Sequence, residues 1–201
     1  MNTNQEYVWY VGYGSNLNKQ RFLCYILGGT PKYGCKSNQG CINKALPPED
    51  RSIKIPNGLY FALPGRRKKT SNWEKGGVTF ITPEKVEDKN LWTLGRMWKI
   101  TKDQYSEIKK QEGPRWYNHE IYIGEDNGTP IYTITNKRKL NNNIAPNKRY
   151  LKTVVLGLKE TYNMDNEEII EYLIERNAIK ENRKENRIIR TAGSIFLKKK
   201  I

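Results

Sequence analysis

The stretch VWYVGYGSNLNKQ, Val8 to Gln20, begins as a strand and ends as the start of a helix. Aromatic and β-branched residues from Tyr7 to Tyr13 suit a buried strand, yet Gly12 and Gly14 interrupt it on either side of a tyrosine. Asn18 then offers a helix N-cap ahead of Arg21-Phe22-Leu23-Cys24-Tyr25-Ile26-Leu27, which Gly28-Gly29 closes. The unit reads strand, turn, helix. Its turn, Tyr13-Gly14-Ser15-Asn16, presents backbone N–H groups near the positive end of a helix dipole, where a carboxylate or an oxyanion is stabilised. Gly12 and Gly14 permit backbone angles and close approach that a Cβ would block. By itself such a turn serves a structural role equally well.

Downstream, Thr30 to Ile55 is rich in Gly, Pro, Asn and Lys with poor periodicity, which predicts a long irregular excursion. Strand-like runs follow at Gly58–Leu63, Gly77–Thr82 and Leu91–Ile100. Thr101-x-x-Gln104 is a capping box for a helix to about Gln111, and two more strands, Trp116–Ile123 and Thr129–Thr135, flank the turn Glu125-Asp-Asn-Gly128. Tyr150, Val154, Val155 and Leu158 fall at helical spacing up to about Tyr162. Asp165-x-x-Glu168 caps a last helix with Ile169, Ile170, Leu173 and Ile174 inward. This order predicts an α+β fold, a mixed and barrel-like sheet with helices packed outside.

A chain of 201 residues, 36 % hydrophobic, is sized for one core. MNTNQEYVWY carries no basic leader or secretory apolar run, and no window approaches the roughly 20 apolar residues of a membrane span, so a soluble, cytoplasmic protein is expected. Cys24, Cys35 and Cys41 are too few for a disulfide scaffold; the C-x5-C spacing of the last two matches no common zinc pattern, and His119 is the single histidine. No metal or cofactor is called for. The net charge of +15 suits a polyanion, although Lys, Asn and Ile are enriched along the whole chain. Local concentrations stand at Arg66-Arg67-Lys68-Lys69 and in the tail, without the interleaved aromatics of a single-strand binder.

Gln111-Glu112-Gly113-Pro114 lies between the capped helix and a strand, where the Glu112 side chain can project into the sheet's interior; a lone Glu at a helix end is otherwise a surface charge. Together, YVGYGSNL and QEG resemble the γ-glutamylcyclotransferase-like family, whose members pair a YGSN-type loop with one acidic residue. Gly76-Gly77-Val78-Thr79-Phe80-Ile81 is similar to its paired-glycine strand, and Ala145-Pro146 followed by Tyr150-Leu-Lys-Thr-Val-Val-Leu-Gly157 to its late helix start. The resemblance runs from about Tyr7 to Leu173. It implies a small mixed β-barrel with surrounding helices, a domain over residues 1–175, and a basic C-terminal extension over 176–201. By position it implies a substrate loop of Tyr10, Val11, Gly12, Tyr13, Gly14 and Ser15, Glu112 as the acid/base residue, and Tyr150 lining the pocket.

The implied partner is a small γ-glutamyl compound. Its free α-amine attacks its own γ-carbonyl, closes 5-oxoproline and expels an amine or amino acid. The substrate brings the nucleophile, so the protein needs only to hold it folded, take a proton and return one. The Thr30–Ile55 excursion is longer than in the family's shorter members and reads as either a lid that selects the leaving amine or solvated surface. Two other function classes compete: a non-catalytic binder of a small acidic metabolite in the same fold, and a nucleic-acid-associated basic protein.

Overall fold

The computed structural model describes residues 6–63, 73, 76–140 and 144–177. The quoted stretch opens as β1 (Tyr7–Gly12). Val8 and Tyr10 pack on one face with Phe22, Ile26 and Trp98, and Trp9 and Val11 on the other with Leu59, Phe80 and Leu158. A strand apolar on both faces belongs in the middle of a sheet. β1 accordingly pairs antiparallel with β4 (Trp92–Thr101) and parallel with β6 (Thr129–Thr135).

β2 (Asp50–Ala62) and β3 (Val78–Lys85) extend the sheet beyond β4, and β5 (His119–Asp126) extends it beyond β6, giving the order β3-β2-β4-β1-β6-β5. Every other neighbouring pair is antiparallel, so the sheet is mixed. It curls until β3 meets β6, where Thr135 Oγ1 donates to the Ile81 carbonyl at 2.7 Å and accepts from the Ile81 N–H at 3.3 Å. One buried hydroxyl replaces a strand ladder there, and the six strands form a nearly closed barrel.

Four helices surround it: α1 (Lys19–Leu27), α2 (Lys102–Gln111), α3 (Lys148–Tyr162) and α4 (Asn166–Asn177). Asn18 Oδ1 accepts from the Arg21 N–H at 3.0 Å, Thr101 and Gln104 cap each other, and so do Asp165 and Glu168. Such caps contribute about 1 kcal/mol apiece. Ile169, Tyr172 and Leu173 are the buried face of α4, with Ile170 and Ile174 half-buried. The β5–β6 hairpin turns through Asn127 and Gly128, both at positive φ, as the Asn-Gly pair predicts.

Two expectations need correction. Pro56-Asn57-Gly58 is not the boundary between a loop and a strand; it is a bulge inside β2, whose register against β4 shifts between Ile55 and Gly58. Asn57 Nδ2 bonds the carbonyls of Thr82 and Glu84, replacing the lost ladder contacts, so the excursion ends at residue 49 rather than at Ile55. β5 starts at His119 rather than Trp116, because Trp116 and Tyr117 both turn back to donate to the Gly113 carbonyl. The excursion is docked rather than detached. Cys41 N–H donates to Ile26 O, Gly40 N–H to Gln111 Oε1, and Gln104 Nε2 to the carbonyls of Asn43 and Ala45, which fixes it along α1 and α2.

All three cysteines are free. Cys41 is buried under the excursion, and burial together with Glu107 pushes its thiol up to about 12, whereas Cys35 is exposed. The thiolate is the reactive form. Iodoacetamide at pH 8 should therefore modify Cys35 first and Cys41 only after denaturation, as followed by peptide mass spectrometry. Equal rates at Cys35 and Cys41 in the native protein would show that the excursion is not docked.

No helix among the described residues is long and apolar enough to cross a membrane. The basic clusters at 66–69 and 183–200 lie outside the described residues.

Candidate active site

β1 runs into a single 3₁₀ turn, Ser15–Leu17, and α1 begins only at Lys19. A separate one-turn element thus stands between β1 and α1, which starts after its expected cap, Asn18. Any anion at the loop meets individual N–H groups rather than the α1 dipole. Among the described residues no backbone carbonyl accepts from the N–H of Gly14 or of Asn16.

The turn is held from three sides. A Cβ on Gly157 of α3 would stand 2.4 Å from Leu17 Cβ, so α3 packs directly on it. Arg96 Nη1 donates to Leu17 O at 3.1 Å while Nη2 and Nε hold Asp50 at 2.6 and 2.7 Å. Trp98 Nε1 donates to Asn16 O at 3.1 Å.

Gly12 and Gly14 are needed for space, not for positive φ. A Cβ on Gly12 would lie 2.6 Å from Asn16 Cβ, and one on Gly14 would lie 1.9 Å from Thr79 Oγ1.

Glu112 is the C-cap residue of α2 and keeps a helical backbone. Tyr105 and Ile108 bury the inner face of that helix, which brings the end of α2 beside β1. Tyr10 OH donates to Glu112 Oε1 at 3.1 Å, Asn16 Nδ2 donates to the same oxygen, and Tyr25 OH donates to the carboxylate as well. Burial, and then the charge of Glu112, raises the Tyr10 phenol well above its ordinary value. Burial does the same at Tyr25, where Arg21 pulls in the opposite direction. Both phenols stay protonated at neutral pH, as donors to a carboxylate must.

Behind Tyr25 stands Arg21. Its Nη2 donates to the Tyr25 hydroxyl oxygen at 2.5 Å, and the guanidinium lies 4.1 Å from the Tyr25 ring centroid. Burial opposes its charge, but Tyr25 and Glu112 outweigh burial and its pKa is raised.

A cavity of about 240 Å³, counting its open mouth, lies in front of Glu112. Without that mouth the enclosed space is about 20 Å³, room for little more than one water, so the ligand-free cavity is narrow. Tyr10, Gly12, Tyr13, Gly14 and Glu112 are on its wall, and Val11, Ser15 and Tyr150 are not. Val11 points the other way along the strand, into the barrel core. Tyr150 stands behind the loop, where its oxygen accepts from the Thr79 N–H at 3.0 Å and shares a 2.6 Å hydrogen bond with Thr79 Oγ1.

Asn16, Thr79, Tyr117 and Ile134 complete the wall. Tyr117 donates to Thr79 O at 2.9 Å with its ring stacked on Phe80. Arg21 also escaped sequence reading. The signal was its place on the inward stripe of α1 with Phe22, Tyr25 and Ile26, four residues before Tyr25. Among the described residues no group of three or more His, Cys, Asp or Glu side chains could hold a metal ion.

The mixed, nearly closed six-stranded barrel with four helices around it is the γ-glutamyl cyclotransferase-like fold. A solved γ-glutamyl cyclotransferase superposes with a TM-score of 0.55 at 20 % identity, covering 88 % of this chain and 90 % of that one. Histone deacetylase 5 of Arabidopsis thaliana is 26 % identical over 205 residues, which take in 83 % of this chain and 30 % of that protein. The chain thus spans less than a third of that relative's length. No protein-family model matches the chain.

Proposed function

We propose that this protein is a γ-glutamyl cyclotransferase, releasing 5-oxoproline and a free amine or amino acid. The observation that carries the reading is the convergence of Tyr10, from β1, and Asn16, from the turn after it, on the Glu112 carboxylate at the cavity. It supports the reading because Gly14 and Asn16 share the cavity wall with Glu112, and intramolecular acyl transfer requires an acid/base group and N–H donors for an oxyanion. The functional domain is residues 1–175, with 176–201 a basic extension, and the substrate is a small γ-glutamyl compound that needs no cofactor.

The substrate's α-ammonium donates to Glu112 and to Asn16 Oδ1, a buried acceptor with no partner in the ligand-free protein. Glu112 takes one proton, and the freed amine attacks the γ-carbonyl carbon. A C–N bond forms, and the carbonyl oxygen becomes an oxyanion facing the N–H groups of Gly14 and Asn16. Glu112 then delivers the proton to the departing nitrogen as the original amide bond breaks, and the second proton on the new ring nitrogen passes to the released amine, leaving the lactam and an ammonium. Acid/base help contributes typically 10²–10⁴-fold. Holding amine and carbonyl in near-attack geometry contributes on the order of 7–11 kcal/mol at best, so positioning dominates.

The test is incubation with a panel of γ-glutamyl amino acids, γ-glutamylamines and γ-glutamyl-capped metabolites, followed for 5-oxoproline. Cyclised product from at least one supports the reading. Ligand that binds and is recovered unchanged throughout the panel makes the protein a binder instead.

A further inference from the structure

Two sets of buried polar atoms beside Glu112 lack partners, and they are opposite in sense. Asn16 Oδ1 is an acceptor without a donor, and Arg21 Nε and Nη1 are donors without an acceptor. Arg21 is only 3 % exposed. Unpaired guanidinium N–H groups are costly to bury, so a partner for them is expected in the working state.

Arg21 and Glu112 do not neutralise each other directly. The Tyr25 hydroxyl stands between them, accepting from Arg21 Nη2 at 2.5 Å and donating to the carboxylate. Cation and anion are thereby held one hydroxyl apart, each with capacity to spare. A head group whose ammonium and carboxylate hang on a single carbon matches that arrangement. The guanidinium is also fixed in orientation, between the Tyr25 ring at 4.1 Å and the Trp73 ring at 5.8 Å. Such a flat, pre-set donor recognises a carboxylate better than a flexible ammonium does.

Building on the cyclotransferase reading, we propose that Arg21 is the subsite for the substrate's α-carboxylate. The N–H groups of Gly14 and Asn16 are then left to the γ-carbonyl oxygen. A permanent carboxylate charge meets a permanent cation, and an oxyanion that exists only in passing meets neutral donors. Arg21 does not itself line the cavity, so the carboxylate passes the wall beside Glu112 to reach Nε and Nη1 while Tyr25 keeps holding Nη2.

The experiment compares binding of 5-oxoproline with binding of 2-pyrrolidinone, the same ring without the carboxylate, by calorimetry on the wild type, Arg21→Gln and Arg21→Lys. Wild-type protein should prefer 5-oxoproline by about 10–100-fold, the range of a charge-assisted contact. Arg21→Gln should erase that preference by weakening 5-oxoproline alone. Arg21→Lys, which keeps the charge and is the safer folder, should retain only part of it. A preference that survives unchanged in either folded variant places the carboxylate elsewhere and overturns the proposal. Binding and turnover separate the two readings. A wild-type protein that shows an Arg21-dependent preference yet releases no 5-oxoproline keeps the subsite and loses the cyclotransferase function. Turnover with a preference indifferent to Arg21 does the reverse.

Discussion

Replacing Glu112 by Gln should reduce 5-oxoproline release by about 10²–10⁴-fold in kcat, the span general acid/base catalysis normally supplies, while leaving the thermal midpoint nearly unchanged. The carboxamide has the same shape, and its oxygen can keep accepting from Tyr10 and Asn16, so the loop and the end of α2 stay joined. What it loses is the ability to take a proton from the α-ammonium and carry it to the leaving nitrogen. Glu112→Asp separates chemistry from placement, because it keeps a carboxylate but draws it back by one methylene from Tyr10 and Asn16. It should fall between wild type and Gln, with most of its loss in kcat. Circular dichroism and a melting curve establish that each variant is folded. Full turnover by a folded Gln variant would mean that the proton passes through another group, and the assignment of Glu112 would have to be abandoned.

The sequence was most legible where the determining interactions are local. Asn18, Thr101 with Gln104, and Asp165 with Glu168 cap helices whose starts were readable from three or four adjacent residues. The continuous aromatic and β-branched run along Tyr7–Gly12 likewise marked a buried strand. Pro56-Asn57-Gly58 misled because the same residues punctuate a turn and a bulge. Only the partners of Asn57 on β3, at Thr82 and Glu84, tell the two apart. The site was harder still. Tyr10 and Glu112 are 102 residues apart, so no local pattern could join them, and it took the resemblance of two distant motifs to suggest that they meet. Arg21 shows the remaining difficulty. On an amphipathic helix an arginine ordinarily reads as solvated surface, and its burial depends on Tyr25 and on Trp73, which comes from another part of the chain.

Gly14→Ala should damage stability and activity together, and the reason is steric. The new methyl would fall 1.9 Å from Thr79 Oγ1 and 2.8 Å from the Tyr150 oxygen. Neither can easily withdraw: Thr79 is 2 % exposed in β3, and its hydroxyl is tied at 2.6 Å to Tyr150, itself 2 % exposed. The loop must therefore move away from β3. Overpacking of this kind costs about 1–3 kcal/mol, which for a chain of this size lowers the melting temperature by roughly 2–10 °C. Activity should suffer more. A displacement of about 1 Å at a positioned group can cost on the order of 10²-fold, and the N–H groups of Gly14 and Asn16 move with the loop. Thr79→Ala in the same chain removes the nearest obstructing oxygen, so the double variant should recover part of the stability lost by Gly14→Ala. The expected coupling is about 0.5–3 kcal/mol, measured from the four corners of a double-mutant cycle. The recovery should be incomplete, because the Tyr150 oxygen remains and loses its bond to the Thr79 hydroxyl. Additive losses, or a Gly14→Ala variant that melts and turns over like wild type, would show that the loop does not rest on β3 and that its N–H groups are not held by that contact.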